Sequence, residues 1–268
     1  MAFIKTKEEQ KLILGGGQIL GAILDDLAAM VRPGITSLEI DKEAERRIRE
    51  AGGLPAFKGY APSGYNPFPG TICACVNHEI VHGIPSDNVL IEGQIFSIDI
   101  GMQYPANSGK GQDGNGFFTD TALTVPVGEI SSQARQLLSV TKKSLEKAMD
   151  VAVAKAKISD IGKTIERYIE PQGYGIVRDL VGHGVGHAVH EDPAIPNYYE
   201  PSLGDKALEA GAVIAIEPMI TVGDYRTKVE EDGWTITTAD GSLSAHFEHT
   251  LIITDNGVVI ATQRPSEK

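Results

Sequence analysis

Acidic residues set inside apolar runs are the first chemistry this sequence offers. Asp99 lies in IFSIDIG and Glu217 in VIAIEPM, while Asp120 and Glu248 stand just ahead of ALTV and LIIT. Alternation in the first stretch puts Asp99 on one strand face with Ser97 and Gly101. The run around Glu217 reads as a strand covered on both faces. An unpaired carboxylate in such a strand costs several kcal/mol or keeps its proton. An arginine partner would explain one such residue. Four of them, with few cations nearby in sequence, point instead to divalent metal. Two ions about 3.5–4 Å apart could be bridged by two of the carboxylates, with the other acids and one histidine terminal. That constellation activates a shared water for hydrolysis.

The histidine is expected from VGHGVGHAVHEDP, residues 181–193, which holds three of the chain's seven histidines between glycines. His183 and His187 have the i, i+4 spacing of two ligands on one helical turn. The glycines at 184 and 186 oppose a helix there, and no glutamate follows His183. The stretch reads as a glycine-rich strand or loop that lets backbone approach the ions. Spacing alone does not choose among His183, His187 and His190.

The elements that must position these residues follow a repeated order. Thr6 with Glu9 and Thr36 with Glu39 fit capping boxes, opening helices that run to about Val31 and Gly52. Strands are expected from about Ile72 to Val125. A helix over 131–156 and a second capped helix in SDIGKTIERYIEPQGY come next, and strands resume near Val177. At an offset of 118, LIEGQIFSID (90–99) lies over LEAGAVIAIE (208–217), setting Asp99 against Glu217. At an offset of 128, FFTDTALTV lies over AHFEHTLII, setting Asp120 against Glu248. Two such matches in the same order imply one α+β domain over 1–268, built from similar halves, about 1–128 and 129–268.

Composition narrows the function classes. The hydrophobic share of 41% and charged share of 22% are those of an ordinary soluble globular chain. A formal net charge of −12 opposes nucleic-acid and anionic-membrane partners. The two cysteines, Cys73 and Cys75, are one residue apart, too close for an ordinary disulfide, so a reduced cytoplasmic setting is expected. The apolar stretch at 12–30 is interrupted by Asp25 and Asp26 and lacks a cleavage site, which favours a buried amphipathic helix over a signal or a membrane span.

VGHGVGHAVHEDP, AIEPM, DGWTITTADGSLSAHFEHT and VNHEIVHGIP resemble the signature segments of type I methionine aminopeptidases, which have the pita-bread fold. The resemblance covers nearly the whole chain. It implies two pseudo-symmetric halves that share a central antiparallel sheet, with helices on the outer face. By the same resemblance Asp99 is terminal on one of two divalent metal ions, Asp120 and Glu248 bridge both, and His183 and Glu217 complete the other. Manganese, iron, cobalt or zinc would suit that ligand set. Glu217 is the implied proton shuttle and His190 and His82 the implied substrate contacts. His187 has no implied role. Cys73, Trp234, Phe68 and Tyr60 fall where the family builds its methionine pocket, and sulfur and aromatics suit a thioether.

The implied function is removal of the N-terminal methionine from nascent proteins whose second residue is small. Transient ribosome contact and a monomeric chain accompany it as expectations. Cys75 is expected as strand filler. His78, His246 and His249 are expected to be structural or solvent-facing, with His249 directed away from its neighbouring ligand. Two departures from the family pattern stand out. The 102–118 loop is longer than the usual tight turn, which implies a surface excursion that leaves the strand pairing intact. Val189 replaces a common aromatic, which alters one pocket wall.

Three other readings compete. A proline-specific pita-bread peptidase would have the same ligands but usually carries an extra N-terminal domain. A non-catalytic pita-bread module for ribosomes or nucleic acid would lose ligands that are all present here. A mononuclear iron oxygenase fits poorly with four strand acids.

Overall fold

The N-terminal helix shows how local sequence sets the frame. In the computed structural model, which describes residues 4–62, 64–109, 114–201 and 206–268, Thr6 and Glu9 form the expected reciprocal cap. It opens α1 (Lys7–Met30). The helix is long and apolar enough to cross a membrane by length and composition alone. Its Leu20, Leu24 and Leu27 are instead completely buried in the main core. Gly17 explains how closely it packs: a Cβ there would meet the Ala261 carbonyl oxygen at 2.5 Å.

Thr36 and Glu39 cap α2 (Ser37–Glu50) in the same way. Its buried Asp41 accepts the backbone N–H groups of Thr71 and Ile72 at 2.6 and 3.0 Å. That fixes the start of the strand Ile72–Val76, which carries Cys73. The long strand Ile95–Tyr104 pairs on one edge with Ile72–Val76 and Leu54–Pro55, and on the other with Phe117–Pro126. All ten residues of this last pair are in register, so the long 102–118 connection does leave the pairing intact. Residues 110–113 of that loop lie outside the described residues.

Ser131 caps α3 (Ser132–Val151), and α4 (Ile158–Ile169) follows. One expectation needs correction: the α3 helix stops at Val151 rather than reaching residue 156. The α4 helix is capped as expected, the Asp160 carboxylate accepting the Lys157 N–H at 3.2 Å. Both helices put isoleucine and leucine faces into the main core beside Ile214, Ile216, Leu251 and Ile253.

A second sheet runs Gly257–Ile260, His249–Thr254, Val213–Ile216, Gly182–Gly184 and Glu191–Ile195, antiparallel throughout. The expected central antiparallel sheet is therefore divided, and threonine hydroxyls stitch its two larger parts together. Glu248 N–H donates to the Ala122 carbonyl at 2.9 Å, the Thr121 hydroxyl to the Glu248 carbonyl at 2.8 Å, and Asp120 N–H to Thr250 Oγ1 at 3.1 Å. This seam brings Asp120 and Glu248 together. Two shorter sheets, Ser244–His246 with Met219–Thr221 and Gly175–Ile176, and Thr227–Val229 with Ile236–Thr238 and Glu79–Val81, close the rim.

Candidate active site

Strand register gathers the acids. Asp99 faces Ala122 and Asp120 faces Gly101 across one ladder, a diagonal that keeps both carboxylates on one face of the sheet. Glu217 directly follows the strand Val213–Ile216, and Glu248 precedes His249–Thr254, its neighbour in the second sheet. His183 sits in the middle of Gly182–Gly184 on the other side of Val213–Ile216. All five line one cavity of about 280 Å³, together with His82 and His190.

The glycines beside His183 have a steric cause. A Cβ on Gly182 would meet the Ala215 carbonyl oxygen at 2.4 Å, and one on Gly184 the Asp192 carbonyl oxygen at 2.2 Å. Only glycine lets this short strand press between its neighbours and deliver the imidazole to the acids. His183 Nδ1 lies 2.9 Å from the Gly184 carbonyl oxygen, so Nδ1 carries the proton and donates it. Nε2 is then aimed at Asp120 Oδ2 and Glu217 Oε1, each 3.5 Å away. That is the tautomer of a metal ligand. The ligand atoms of Asp120, His183 and Glu248 all lie within 4.8 Å of one another.

The arginine explanation fails for these acids. Among the described residues, none of the four carboxylates has a lysine or arginine in ion-pair contact. Asp99 Oδ1 is buried with no hydrogen-bond partner. Burial, with repulsion from the neighbouring carboxylates, pushes Asp99 up to about 7 and Glu217 up to about 8. Burial likewise raises Asp120 and Glu248. A cluster of buried acids whose charged forms are disfavoured when no cation is near fits divalent metal.

His82 and His190 stand at the mouth of this cluster. His82 has a left-handed φ of 58°, a strained backbone for a histidine and one that clusters at functional sites. His190 opens onto the cavity with its ring centroid 4.5 Å from that of His183, and its Nδ1 is 3.2 Å from the Tyr60 hydroxyl. Burial, with nearby histidines, lowers His82 to about 4 and His190 to about 3, so both rings are neutral at ordinary pH.

A second cavity of about 410 Å³ shares Phe57, His82, Asp99 and His190 with the first and is lined by Tyr60, Phe68, Cys73 and Trp234, the four expected pocket residues. Phe68 stands edge-on to Trp234 with ring centroids 5.2 Å apart. Trp234 is held by its indole N–H, which donates to the Asn66 carbonyl at 3.1 Å. Burial pushes the Cys73 thiol well up, so it is a neutral wall rather than a nucleophile. Val189 packs in the same cluster, and so does Phe57, which sequence reading missed. Phe57 lines both cavities, and its ring occupies the space a side chain at Gly101 would need. The glycine in IFSIDIG was the available signal for a bulky neighbour.

Two histidines make contacts that the sequence did not suggest. His187, which has no implied role at the site, has its Nε2 2.9 Å from Glu9 Oε1, tying α1 to the glycine-rich stretch. His246 is not solvent-facing: it is buried beside the acid cluster, with Nε2 3.4 Å from Glu217 Oε2. Its sequence signal was available, because residues 246 and 248 of an extended segment face the same way. His249 does turn away from the site, toward Thr262, Arg264 and Glu267. The Cys75 sulfur accepts the Gly83 N–H, a structural role.

The profile of metallopeptidase family M24 matches residues 11–255. The chain belongs to that family. It is 44% identical to the methionine aminopeptidase of Clostridium perfringens over 262 residues, covering 98% of this chain and 99% of that protein. The crystal structure of methionine aminopeptidase from Thermotoga maritima superposes with a TM-score of 0.88 at 38% identity, covering 97% of this chain and 99% of the other. An Xaa-Pro dipeptidase from Bacillus anthracis shares the fold at a TM-score of 0.74 and 22% identity, and matches this chain over only 62% of its own length. Within the family, the site described here joins a cluster of buried acids to an aromatic and sulfur-lined pocket.

Proposed function

We propose that this chain removes the N-terminal methionine from proteins and peptides whose second residue is small, using two divalent metal ions held by Asp99, Asp120, His183, Glu217 and Glu248. The observation that carries the reading is the continuity of the acid cluster with the pocket of Tyr60, Phe68, Cys73 and Trp234. Full-length similarity to methionine aminopeptidases supports it. The ions, when bound, supply an activated water and a Lewis acid for the scissile carbonyl.

The protein's own groups do the rest. The aromatic and sulfur walls hold the methionine thioether. The neutral rings of His82 and His190 offer N–H donors to the carbonyl oxygen as negative charge develops there. A Glu217 carboxylate oxygen takes a proton from the attacking water and returns it to the leaving amine. A site closed around methionine and the attacked bond excludes a large second side chain by clash. The chain acts as a monomeric cytoplasmic enzyme of two related halves, 1–128 and 129–268, and meets nascent chains, with transient ribosome contact. Gly93 and Gly211, equivalent under the 118-residue offset, share a φ of 93°, which supports that relation.

The test compares Met-Ala-Ser, Met-Lys-Ser and an Xaa-Pro peptide with added manganese and with chelator. Metal-dependent release of methionine from the first alone is expected. Preference for the Xaa-Pro peptide would replace this reading with the proline-specific one, and turnover unaffected by chelator would remove the metal from it.

A further inference from the structure

Among the described residues, nothing hydrogen-bonds the buried imidazole of His246. It is 1% exposed, and neither ring nitrogen has a hydrogen-bond partner. Its position is not loose. The strand Ser244–His246 pairs with Met219–Thr221, setting His246 opposite Met219. Its backbone is clamped on the other side, where His246 N–H donates to Thr124 Oγ1 at 2.9 Å and the Thr124 hydroxyl donates to the His246 carbonyl at 3.0 Å. An apolar side chain would fill such a place without leaving two polar atoms unpaired.

Among the described residues, the ring's close carboxylate contact is with Glu217. Nε2 stands 3.4 Å from Glu217 Oε2, while Glu217 Oε1 stands 3.5 Å from His183 Nε2. The carboxylate thus sits between two imidazoles, one per oxygen. The Glu217 backbone is also anchored, through its carbonyl, by the buried Asn197 amide at 3.1 Å. The side-chain torsions are what remain free, and His246 faces the oxygen that would otherwise be unrestrained.

We propose that His246 is a positioning residue for Glu217. Its ring offers an N–H from Nε2 to Glu217 Oε2 and so presents Oε1 on the His183 side, where the ions would be held. Partners of this kind fix the orientation of a ligating group, and their loss typically costs about 10–100-fold in metal affinity or activity. The inference rests on Glu217 being a ligand, as the proposed function has it.

The experiment titrates metal-free protein with manganese by calorimetry for wild type, His246→Phe and His246→Gln, and measures kcat and KM on Met-Ala-Ser. Cobalt(II) absorption of each protein reports the ligand set. Phenylalanine keeps a ring of similar size without nitrogen, and glutamine restores an N–H donor without an imidazole. His246→Phe should lose about 10–100-fold in manganese affinity and lower kcat more than it changes KM. His246→Gln should recover most of both and keep the wild-type cobalt bands.

Wild-type affinity in His246→Phe would overturn the proposal. So would a glutamine variant as weak as phenylalanine with shifted cobalt bands, which would make His246 a ligand itself. Should the phenylalanine variant fail to fold by circular dichroism, His246→Leu takes its place with the same expectations. If wild type itself bound no manganese, the ligand reading of Glu217 would fall first, an outcome distinct from the other two.

Discussion

Each residue of the acid cluster makes sense only with the others. Burial pushes each of the four carboxylates toward its protonated form, and repulsion between them adds to it at Asp99, Glu217 and Glu248. If Asp120 and Glu248 bridge two ions, Asp120→Ala and Glu248→Ala should each abolish turnover and remove at least one equivalent of bound metal. Metal analysis after desalting checks this, and two retained ions in either variant would end the bridging assignment. The histidines separate by readout. His183→Ala should lose metal, whereas His190→Ala should keep it and lose turnover, because His190 meets the cavity through its ring and Tyr60. The acids were legible in the sequence because an ionisable group in an apolar strand is costly unless something binds it. Phe57 and His246 were harder. An aromatic reads as ordinary core, and a histidine beside a ligand is recognised only when strand alternation is applied to it.

At the scale of elements, the glycine-rich segment is held by partners that no local pattern reveals. Phe118 N–H donates to the Gly186 carbonyl at 2.8 Å, Lys5 pairs with Glu191, and His187 meets Glu9 on α1. His187 and Glu9 are 178 positions apart, so spacing could not join them. The same distance hid the threonine stitching between the two larger sheets, although the repeated order of helices and strands was plain from caps and periodicity. The tether predicts a stability effect without a metal effect. His187→Ala should keep the wild-type manganese affinity and lose about 1 kcal/mol of stability, the worth of a hydrogen bond between side chains that are mostly buried. Chemical denaturation of His187→Ala, Glu9→Gln and the double variant checks the coupling. Additive losses would show that the contact contributes nothing of its own.

For the whole molecule, the buried acids and buried histidines act oppositely on stability as pH changes. His82, held at about 4, and His190, at about 3, favour the neutral form in the folded chain, so their contribution grows with pH and is complete above their ordinary value of about 6.5. The acids have the other sign. Asp99 at about 7 and Glu217 at about 8 hold protons in the folded state that the unfolded chain, with ordinary carboxyls near 4, has already released. Their contribution is present at low pH and is lost as pH rises through the folded values. Between about 6.5 and 8 the histidine contribution is flat, so only the acids' slope remains. It is on the order of 1 kcal/mol per pH unit for each proton held. Metal-free protein should therefore melt at a lower temperature at pH 8 than at pH 6.5. Manganese, which binds the deprotonated ligands, should raise the melting temperature more at pH 8 than at pH 6.5 and release protons on binding at the lower pH. Thermal melts with chelator and with manganese at both pH values measure each effect. A metal-free melting temperature that stayed level or rose between them would show that these carboxyls are already ionised in the empty fold, and that some other group answers their charge.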